Sequence, residues 1–447
     1  MSESFLLVRI TIECLLLSSD FMGQTSKRLI IKAGNIFDSL SGKILKNHTI
    51  VISGKVISWI GKDSSYEKER NDKIIDASEK FVMPGMVESH VHLDTTGNPQ
   101  TEREYLRTKT AMWPFYGLLH SQQHLMSGFT CVRDCGAEPD WSPSLKRMFN
   151  LGLLAGPRLI VSDRFLAQAG TQEAVMPDFR KREYTEIYSA KAGIDGVIQA
   201  VRDRKFHGSD FIKTATTGGV LHGIESKLAM SFWSDEELDA MVKEAHRTDM
   251  HVACHAHGRE GVYRAVKAGI DTIEHGSFMD EETAELMVKK GTYLIPTQAA
   301  LMNLTSENIL KQMPPEVQRK TLNTAKNALE NHRMAFKKGV KIAIGTDAGT
   351  PGNFHGHTGS EVKYMVENVG MTPVQALQAA TIEGARACSI EEKIGSLEVG
   401  KLADIVISKK NPLEEISVLE KPINFTHVIK DGMVMVEKGK ITYFVTK

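Results

Sequence analysis

Between about residues 85 and 395, short apolar segments alternate with longer segments of helical pattern. This alternation predicts parallel βαβ units. Eight candidate strands can be counted, at residues 81–92, 128–136, 157–163, 210–219, 250–258, 271–276, 292–298 and 340–349. Because eight parallel strands close a (β/α)8 barrel, we predict an α/β fold with a TIM barrel over residues 85–395.

Two of the intervening helices carry clear start signals. Ser234, followed by an acidic first turn, predicts a helix over 234–247. Thr372, followed by proline, predicts a helix over 372–388.

The two ends of the chain have a different pattern, in which short β-branched stretches are separated by glycine turns. Asp431 and Gly432 lie between alternating apolar runs, which predicts a two-residue hairpin. Neither end is long enough for a core of its own. We therefore predict that residues 28–84 and 396–447 form one small composite β-sandwich domain beside the barrel.

Residues 1–27 precede the regular pattern and are interpreted as an extension. Their apolar part, residues 5–17, is too short to span a bilayer and contains Arg9 and Glu13. It lacks the basic leader and small-residue cleavage site of a signal peptide, although secretion remains an alternative. Met22 is an alternative start.

Charge and cysteine content limit the partners and the compartment. Lys plus Arg and Asp plus Glu both number 55, so no excess charge attracts nucleic acid or an anionic membrane. We expect a small-molecule substrate, with no nucleic-acid or membrane partner. The five cysteines are scattered and odd in number, which favours a reducing, cytoplasmic location.

Polar side chains concentrate at the carboxyl ends of the predicted strands, the face on which barrels build active sites. They are His90 and His92 on the first strand, Lys213 on the fourth, His255 and His257 on the fifth, His275 on the sixth and Asp347 on the eighth. Residues i and i+2 of a strand point to the same side, so His90 and His92 can bind one metal ion together. Singly, each residue has a structural explanation, but the joint pattern favours a metal site.

Several motifs resemble the metal-dependent amidohydrolase superfamily, and the similarity covers roughly residues 28–447. The motifs are VESHVHLD, FIKTATTGG, CHAHG, IEHG, GTDAG, TPxxALxxAT and GSLEVGKLADIV. With His255 and His275 twenty residues apart, the set looks most like the prolidase-like or imidazolonepropionase-like dipeptidase branch.

The resemblance implies two divalent metal ions, with zinc as the expected metal. It places His90, His92 and Asp347 on one ion and His255 and His275 on the other, and it makes Lys213 a bridging carbamate formed with carbon dioxide. The implied enzyme is a carbon–nitrogen hydrolase that cleaves a dipeptide or N-acyl amino acid by metal-activated hydroxide. Asp347 would be its catalytic proton acceptor and donor.

Less direct signals concern the substrate and the assembly. His257 shares the strand face of His255. In the resembled dipeptidases the corresponding position touches the substrate's carboxylate end, so the resemblance implies substrate binding for His257, with orientation of a metal ligand as the alternative. His355 is a second candidate substrate contact, in a loop that is otherwise typical of a flexible glycine segment. Members of the resembled branch are often homo-oligomers, which we also expect here.

Other functions stay open. A cyclic-amide or lactone hydrolase of the same superfamily is the main enzyme alternative, and Lys213 argues against a deaminase. A catalytically silent barrel that serves as a binding protein is the non-enzyme alternative. Residues 166–173 read LAQAGTQE where relatives commonly carry Gly-Gly-His, so the substrate specificity of relatives does not transfer directly. The Cys131 and Cys135 pair is expected to pack rather than bind zinc.

Overall fold

The computed structural model describes residues 28–100, 103–104, 107–168, 189–221 and 227–443. The expected extension, residues 1–27, and residues 169–173 of the LAQAGTQE stretch lie outside these ranges.

The strands, in chain order, are β1 Leu29–Asp38, β2 Lys43–Ser53, β3 Val56–Lys62, β4 Lys73–Pro84, β5 Met86–Val91, β6 Phe129–Asp134, β7 Arg158–Val161, β8 Ala167–Gln168, β9 Ser189–Ala190, β10 Ile212–Ala215, β11 Val252–Ala256, β12 Thr272–His275, β13 Tyr293–Ile295, β14 Lys341–Ile342, β15 Ile405–Ser408, β16 Phe425–Lys430, β17 Met433–Glu437 and β18 Lys440–Ile441.

The α-helices are α1 Trp113–Met126, α2 Trp141–Asn150, α3 Ile194–Phe206, α4 Asp235–Arg247, α5 Arg259–Ala268, α6 Glu281–Lys290, α7 Gln298–Leu304, α8 Glu307–Leu310, α9 Pro315–Lys338, α10 Gly359–Tyr364, α11 Pro373–Ala379 and α12 Ile382–Ala387.

Both ends of the chain contribute to one sheet, in the order β18-β17-β16-β15-β4-β1-β2-β3. The two halves meet where β15 pairs antiparallel with β4. These strands form one continuous sheet and not two separate ones. The sheet curves so that its β3 edge contacts the segment that precedes β15. Residues at the start of β3 bond to the segment before β15, through Ile57 N to Lys401 O at 2.9 Å and Ala403 N to Lys55 O at 2.9 Å.

The hairpin predicted at Asp431 and Gly432 joins β16 to β17. Both residues have positive φ, 48° and 73°, which suits the twist of a two-residue hairpin. A short polar residue and glycine tolerate this conformation best, so the local sequence is sufficient to set the turn.

Eight parallel strands correspond to the eight predicted segments. They lie in a three-stranded sheet, β5-β6-β7, and a five-stranded sheet, β10-β11-β12-β13-β14. Backbone hydrogen bonds connect the two sheets at both edges: Asp347 N donates to His90 O at 2.7 Å, and Leu166 N donates to Lys213 O at 2.7 Å. The first predicted segment is divided, because residues 81–84 belong to β4 of the composite sheet and β5 begins at Met86.

The predicted helix over 234–247 is confirmed as α4. Ser234 caps it in a reciprocal capping box with Glu237. The single helix predicted over 372–388 is wrong, since the chain forms α11 and α12 instead. Thr381 between them leaves the helical region, with φ −123° and ψ −91°, and its hydroxyl donates to Leu377 O at 2.6 Å.

Across the described ranges, every helix is too short or too polar to cross a bilayer.

Candidate metal centre

The structure gathers the candidate metal ligands at the carboxyl ends of the parallel strands. His90 Nε2 lies 3.4 Å from Lys213 Nζ and 3.5 Å from Asp347 Oδ1. His92 Nε2 lies 3.4 Å from the same Asp347 oxygen. Side chains up to 257 positions apart in the sequence therefore lie within 3.5 Å of each other in one cluster.

Three more histidines lie against this group. The ring centroids of His255, His257 and His275 are 4.6 to 4.7 Å apart, and the His90 and His275 centroids are 5.3 Å apart. Donor atoms of His255, His257 and His275 all lie within 4.8 Å of one another, as do those of His90, His275 and Asp347. His275 thus belongs to both groups and connects them.

Two of the candidate ligands have an unusual backbone conformation. His275 has φ of 73° and Asp347 has φ of 57°, a left-handed region that non-glycine residues seldom adopt. The carbonyl oxygen of His275 accepts a hydrogen bond from His332 Nε2 at 2.6 Å, which helps to hold this conformation. Such strain persists only where neighbouring contacts enforce it, and it is concentrated at functional sites.

Hydrogen bonds fix the tautomers of the imidazoles. His92 Nδ1 donates to Gly136 O at 2.9 Å, and His255 Nε2 donates to Gly218 O at 3.4 Å. Because a carbonyl can only accept, these ring nitrogens carry the hydrogen, and the opposite nitrogen of each ring carries the lone pair. His275 Nδ1 is likewise engaged by Thr297 Oγ1 at 2.7 Å. This is how protein metal sites orient histidine ligands.

Burial keeps the imidazoles neutral. It lowers the pKa of His90 to about 3 and of His92 to about 4, and it holds the pKa of His275 well below the usual value. Burial also raises the pKa of Asp347 to about 7, although Lys213 opposes this shift. Neutral imidazole is the form that binds a cation.

Lys213 tests whether these residues fit a pair of metal ions. It is 2% exposed, and among the described residues no carboxylate oxygen lies within ion-pair distance of its Nζ. A buried ammonium among imidazoles is costly, whereas an amine converted to a carbamate would supply a carboxylate-like ligand. Together with several imidazoles and one aspartate, this donor set suits divalent ions such as zinc.

The two candidate substrate contacts have different surroundings. His257 lies inside the cluster, with Nδ1 2.8 Å from Ser277 Oγ. His355 is buried against α1, where its Nε2 donates to Thr95 O at 2.8 Å and its Nδ1 lies 2.9 Å from His124 Nε2. Since both ring nitrogens of His355 are engaged, its surroundings favour support of the loop after His92 over a polar contact with substrate.

Sequence reasoning missed a layer of charged residues directly beneath the cluster. Glu274 is fully buried, and its Oε2 lies 2.5 Å from His90 Nδ1. Burial raises the pKa of this carboxyl, but Arg133 and His90 outweigh burial and hold the pKa below its usual range. Strict alternation of strand faces predicts that Glu274, next to His275, points away from the site. That interpretation is wrong, because the left-handed φ at His275 breaks the alternation after Glu274.

Glu88 and Arg133 were also missed. Glu88 Oε1 accepts from the backbone N of His90 and of Thr346, both at 2.9 Å, and burial raises the pKa of Glu88 to about 8. Arg133 Nη2 donates to Glu274 Oε1 at 2.8 Å. The sequence signal for each was a charged side chain in the interior of a predicted strand.

A family model described as the amidohydrolase family matches residues 81–435. Among characterised relatives, ochratoxinase of Aspergillus niger is 29% identical over 440 residues, which covers 93% of this chain and 88% of the relative.

The chain is also similar to solved structures of two peptide-bond hydrolases. A Xaa-Pro dipeptidase with bound methionine in the active site is 37% identical, with a TM-score of 0.82 over 92% of this chain and 100% of that chain. A prolidase complexed with N-methylphosphonate-L-proline is 28% identical, with a TM-score of 0.82 over the same shares.

Proposed function

This chain belongs to the amidohydrolase family and is a metal-dependent hydrolase of amide bonds, and we propose that it cleaves dipeptides or N-acyl amino acids with a free carboxylate. The observation that carries the proposal is the convergence of His90, Lys213, His275 and Asp347 on one buried point. Similarity to a Xaa-Pro dipeptidase and to ochratoxinase supports the substrate class.

We propose that β5–β7 and β10–β14 form a closed (β/α)8 barrel over residues 85–395. The hydrogen bonds that connect the two sheets at both edges support this closure. Residues 28–84 and 396–447 would then form the composite β domain. Four described cysteines are free thiols, which supports the cytoplasm as location. A homo-oligomer is proposed from the family resemblance, and light scattering after gel filtration tests it.

We assign His90, His92 and Asp347 to one divalent ion, His255 and His275 to the second, and Lys213 to both. Zinc is the ion that this donor set favours. When bound, two such cations lower the pKa of a water molecule and polarise a substrate carbonyl.

Lys213 can contribute as a ligand only after its amine is modified. The neutral Nζ forms a bond to the carbon of carbon dioxide and loses one proton, which yields a carbamate. The amine's buried position would favour this product, because with divalent ions bound a carboxylate would be better stabilised there than an ammonium beside histidines.

Asp347 is positioned to move the proton. One carboxylate oxygen accepts the proton of the attacking water, and the same group then donates it to the leaving amine nitrogen. His257, held at Nδ1 by Ser277, is assigned to the substrate's carboxylate end. Burial of the cluster excludes bulk water and strengthens these charge interactions.

A panel of dipeptides and N-acyl amino acids, assayed for released amino acid with and without a chelator, tests this function. We expect chelator-sensitive release from at least one member and about two divalent ions per chain. Hydrolysis of lactones or cyclic amides alone would transfer the assignment to the alternative enzyme class. A protein without metal and without any hydrolysis would contradict the proposal.

A further inference from the structure

A buried charge pair lies beneath the metal ligands, inside the ring of parallel strands. Arg133 and Glu274 are both 0% exposed, and Arg133 Nη2 donates to Glu274 Oε1 at 2.8 Å. The same carboxylate oxygen accepts from Thr272 Oγ1 at 2.6 Å. Desolvating two charges is costly, so this pair needs an explanation other than packing.

Among the residues that the structure describes, the remaining carboxylate oxygen has one partner, and that partner is a candidate metal ligand. Glu274 Oε2 lies 2.5 Å from His90 Nδ1. Oε1 already accepts two hydrogen bonds, so Oε2 is the oxygen that accepts from the imidazole. Because a carboxylate can only accept, the hydrogen of the His90 ring lies on Nδ1. The lone pair of His90 is then on Nε2, the nitrogen next to Lys213 and Asp347.

Arg133 also positions the backbone of β5, the strand that carries His90. Its Nε donates to Ser89 O at 2.5 Å, one residue before His90, and its Nη1 donates to Thr272 Oγ1 at 3.2 Å. The guanidinium stacks over Phe211, with Cζ 5.3 Å from the ring centroid. A planar fork with several fixed donors can make these contacts together, which an ammonium cannot.

We infer that Arg133 and Glu274 are positioning residues that act through His90: the pair fixes the tautomer and the direction of the His90 ring, and Glu274 makes its Nε2 a stronger ligand. A carboxylate behind a metal-bound histidine increases the basicity of the ring, and loss of such partners typically weakens metal binding. The inference rests on the proposed function, since it assigns His90 to a metal ion.

Glu274→Gln is the first test, because glutamine keeps the size of the side chain but removes its charge and replaces one acceptor oxygen with an NH2 donor. The affinity of the purified protein for zinc, measured by competition with a chromophoric chelator, should fall by about 10- to 100-fold for one of two ions. Excess zinc should restore most of kcat in Glu274→Gln. It should not restore kcat in Asp347→Asn, which lacks the proton acceptor itself.

Arg158→Met is the matched control. Arg158 is paired with Asp404 and Asp431 in another largely buried charge cluster. It is the first residue of β7 and so lies at the end opposite to the carboxyl ends that carry the candidate ligands. The Arg158→Met variant should have a lower thermal unfolding midpoint than the wild type and the same affinity for zinc. Arg133→Met should weaken zinc binding as Glu274→Gln does. If that variant does not fold, Glu274→Gln alone decides.

Unchanged zinc affinity in folded Glu274→Gln would overturn the inference, and so would an equal loss of affinity in Arg158→Met. A wild-type protein that binds no divalent ion would instead overturn the proposed function. The two failures are therefore distinguishable.

Discussion

The core of the composite sheet and the centre of the parallel strands are equally buried but chemically opposite. In the sheet, the core cluster consists of aliphatic side chains from both chain ends, such as Ile31, Ile50 and Ile405. Between the parallel strands, the buried residues include Arg133 and Glu274, both 0% exposed. Burial in the first region stabilises the fold directly. In the second it costs free energy, which pairing offsets only in part.

This difference separates the effects of substitution. A change in the sheet core should lower stability and leave the chemistry of the folded fraction intact. A change between the parallel strands should alter metal binding or catalysis more than the thermal midpoint.

The largest effect is expected for Lys213→Ala. This variant would lack the proposed carbamate, which would serve as a ligand to both ions, so metal content should fall and activity should decrease about 1000-fold or more. Added short-chain carboxylic acids should restore part of the activity by occupying the vacated space. Full activity of the variant without such acids would remove the carbamate from the mechanism.

Asp347→Asn should reduce kcat by roughly 100- to 10,000-fold, because an amide cannot accept the proton of the attacking water. KM should change much less, since the substrate contacts remain. Steady-state kinetics on the best substrate of the panel measures both. An unchanged kcat would assign the general base to another residue.

Ile31→Ala should cost about 2 to 5 kcal/mol of unfolding free energy, because it leaves a cavity in a fully buried aliphatic core. Urea unfolding measures this cost, and Ile405→Ala provides a second position in the same cluster. Zinc stoichiometry and kcat per folded molecule should stay at the wild-type values. A loss of metal at full folding would show that the two regions are coupled.

The smallest effect is expected at the surface, in neither region. The carboxylate of Asp271, 2.8 Å from His246 Nε2, raises the pKa of His246. A raised folded-state pKa stabilises the protein below the unfolded value of about 6.5, and this contribution is lost as pH rises through the folded-state pKa. Because His246 is 44% exposed, solvent screening limits the gain to a few tenths of a kcal/mol.

His246→Gln should therefore destabilise the protein slightly at pH 5.5 and have no effect at pH 8.5. Paired urea titrations at the two pH values measure the difference. A larger loss at the higher pH would reverse the assigned sign.

The histidine and aspartate candidates were accessible from the sequence because each lies toward the carboxyl end of a predicted strand, whereas Lys213 lies near the start of the segment 210–219 and was recognised in the motif FIKTATTGG. His255 and His275 could be placed near each other from strand order alone. The partner of His90 could not, since Glu274 is 184 positions away and its direction depends on the backbone of His275. Likewise, His355 could be assigned to the site's neighbourhood, but only the fold showed that its ring nitrogens contact Thr95 and His124.

Features that arise from neighbouring residues follow from the amino-acid sequence alone. They are the succession of parallel strands, the Asp431 and Gly432 hairpin, the Ser234 cap and the strand ends that carry candidate ligands. These follow from side-chain period and turn chemistry, which act over a few residues. The pairing of β15 with β4, and the contacts by which Arg133 and Glu274 reach His90, could be seen only in the folded chain. Such pairings form between residues that are far apart in the chain and meet only after folding, in a low-dielectric interior. The local sequence around each residue does not indicate which partner it will meet.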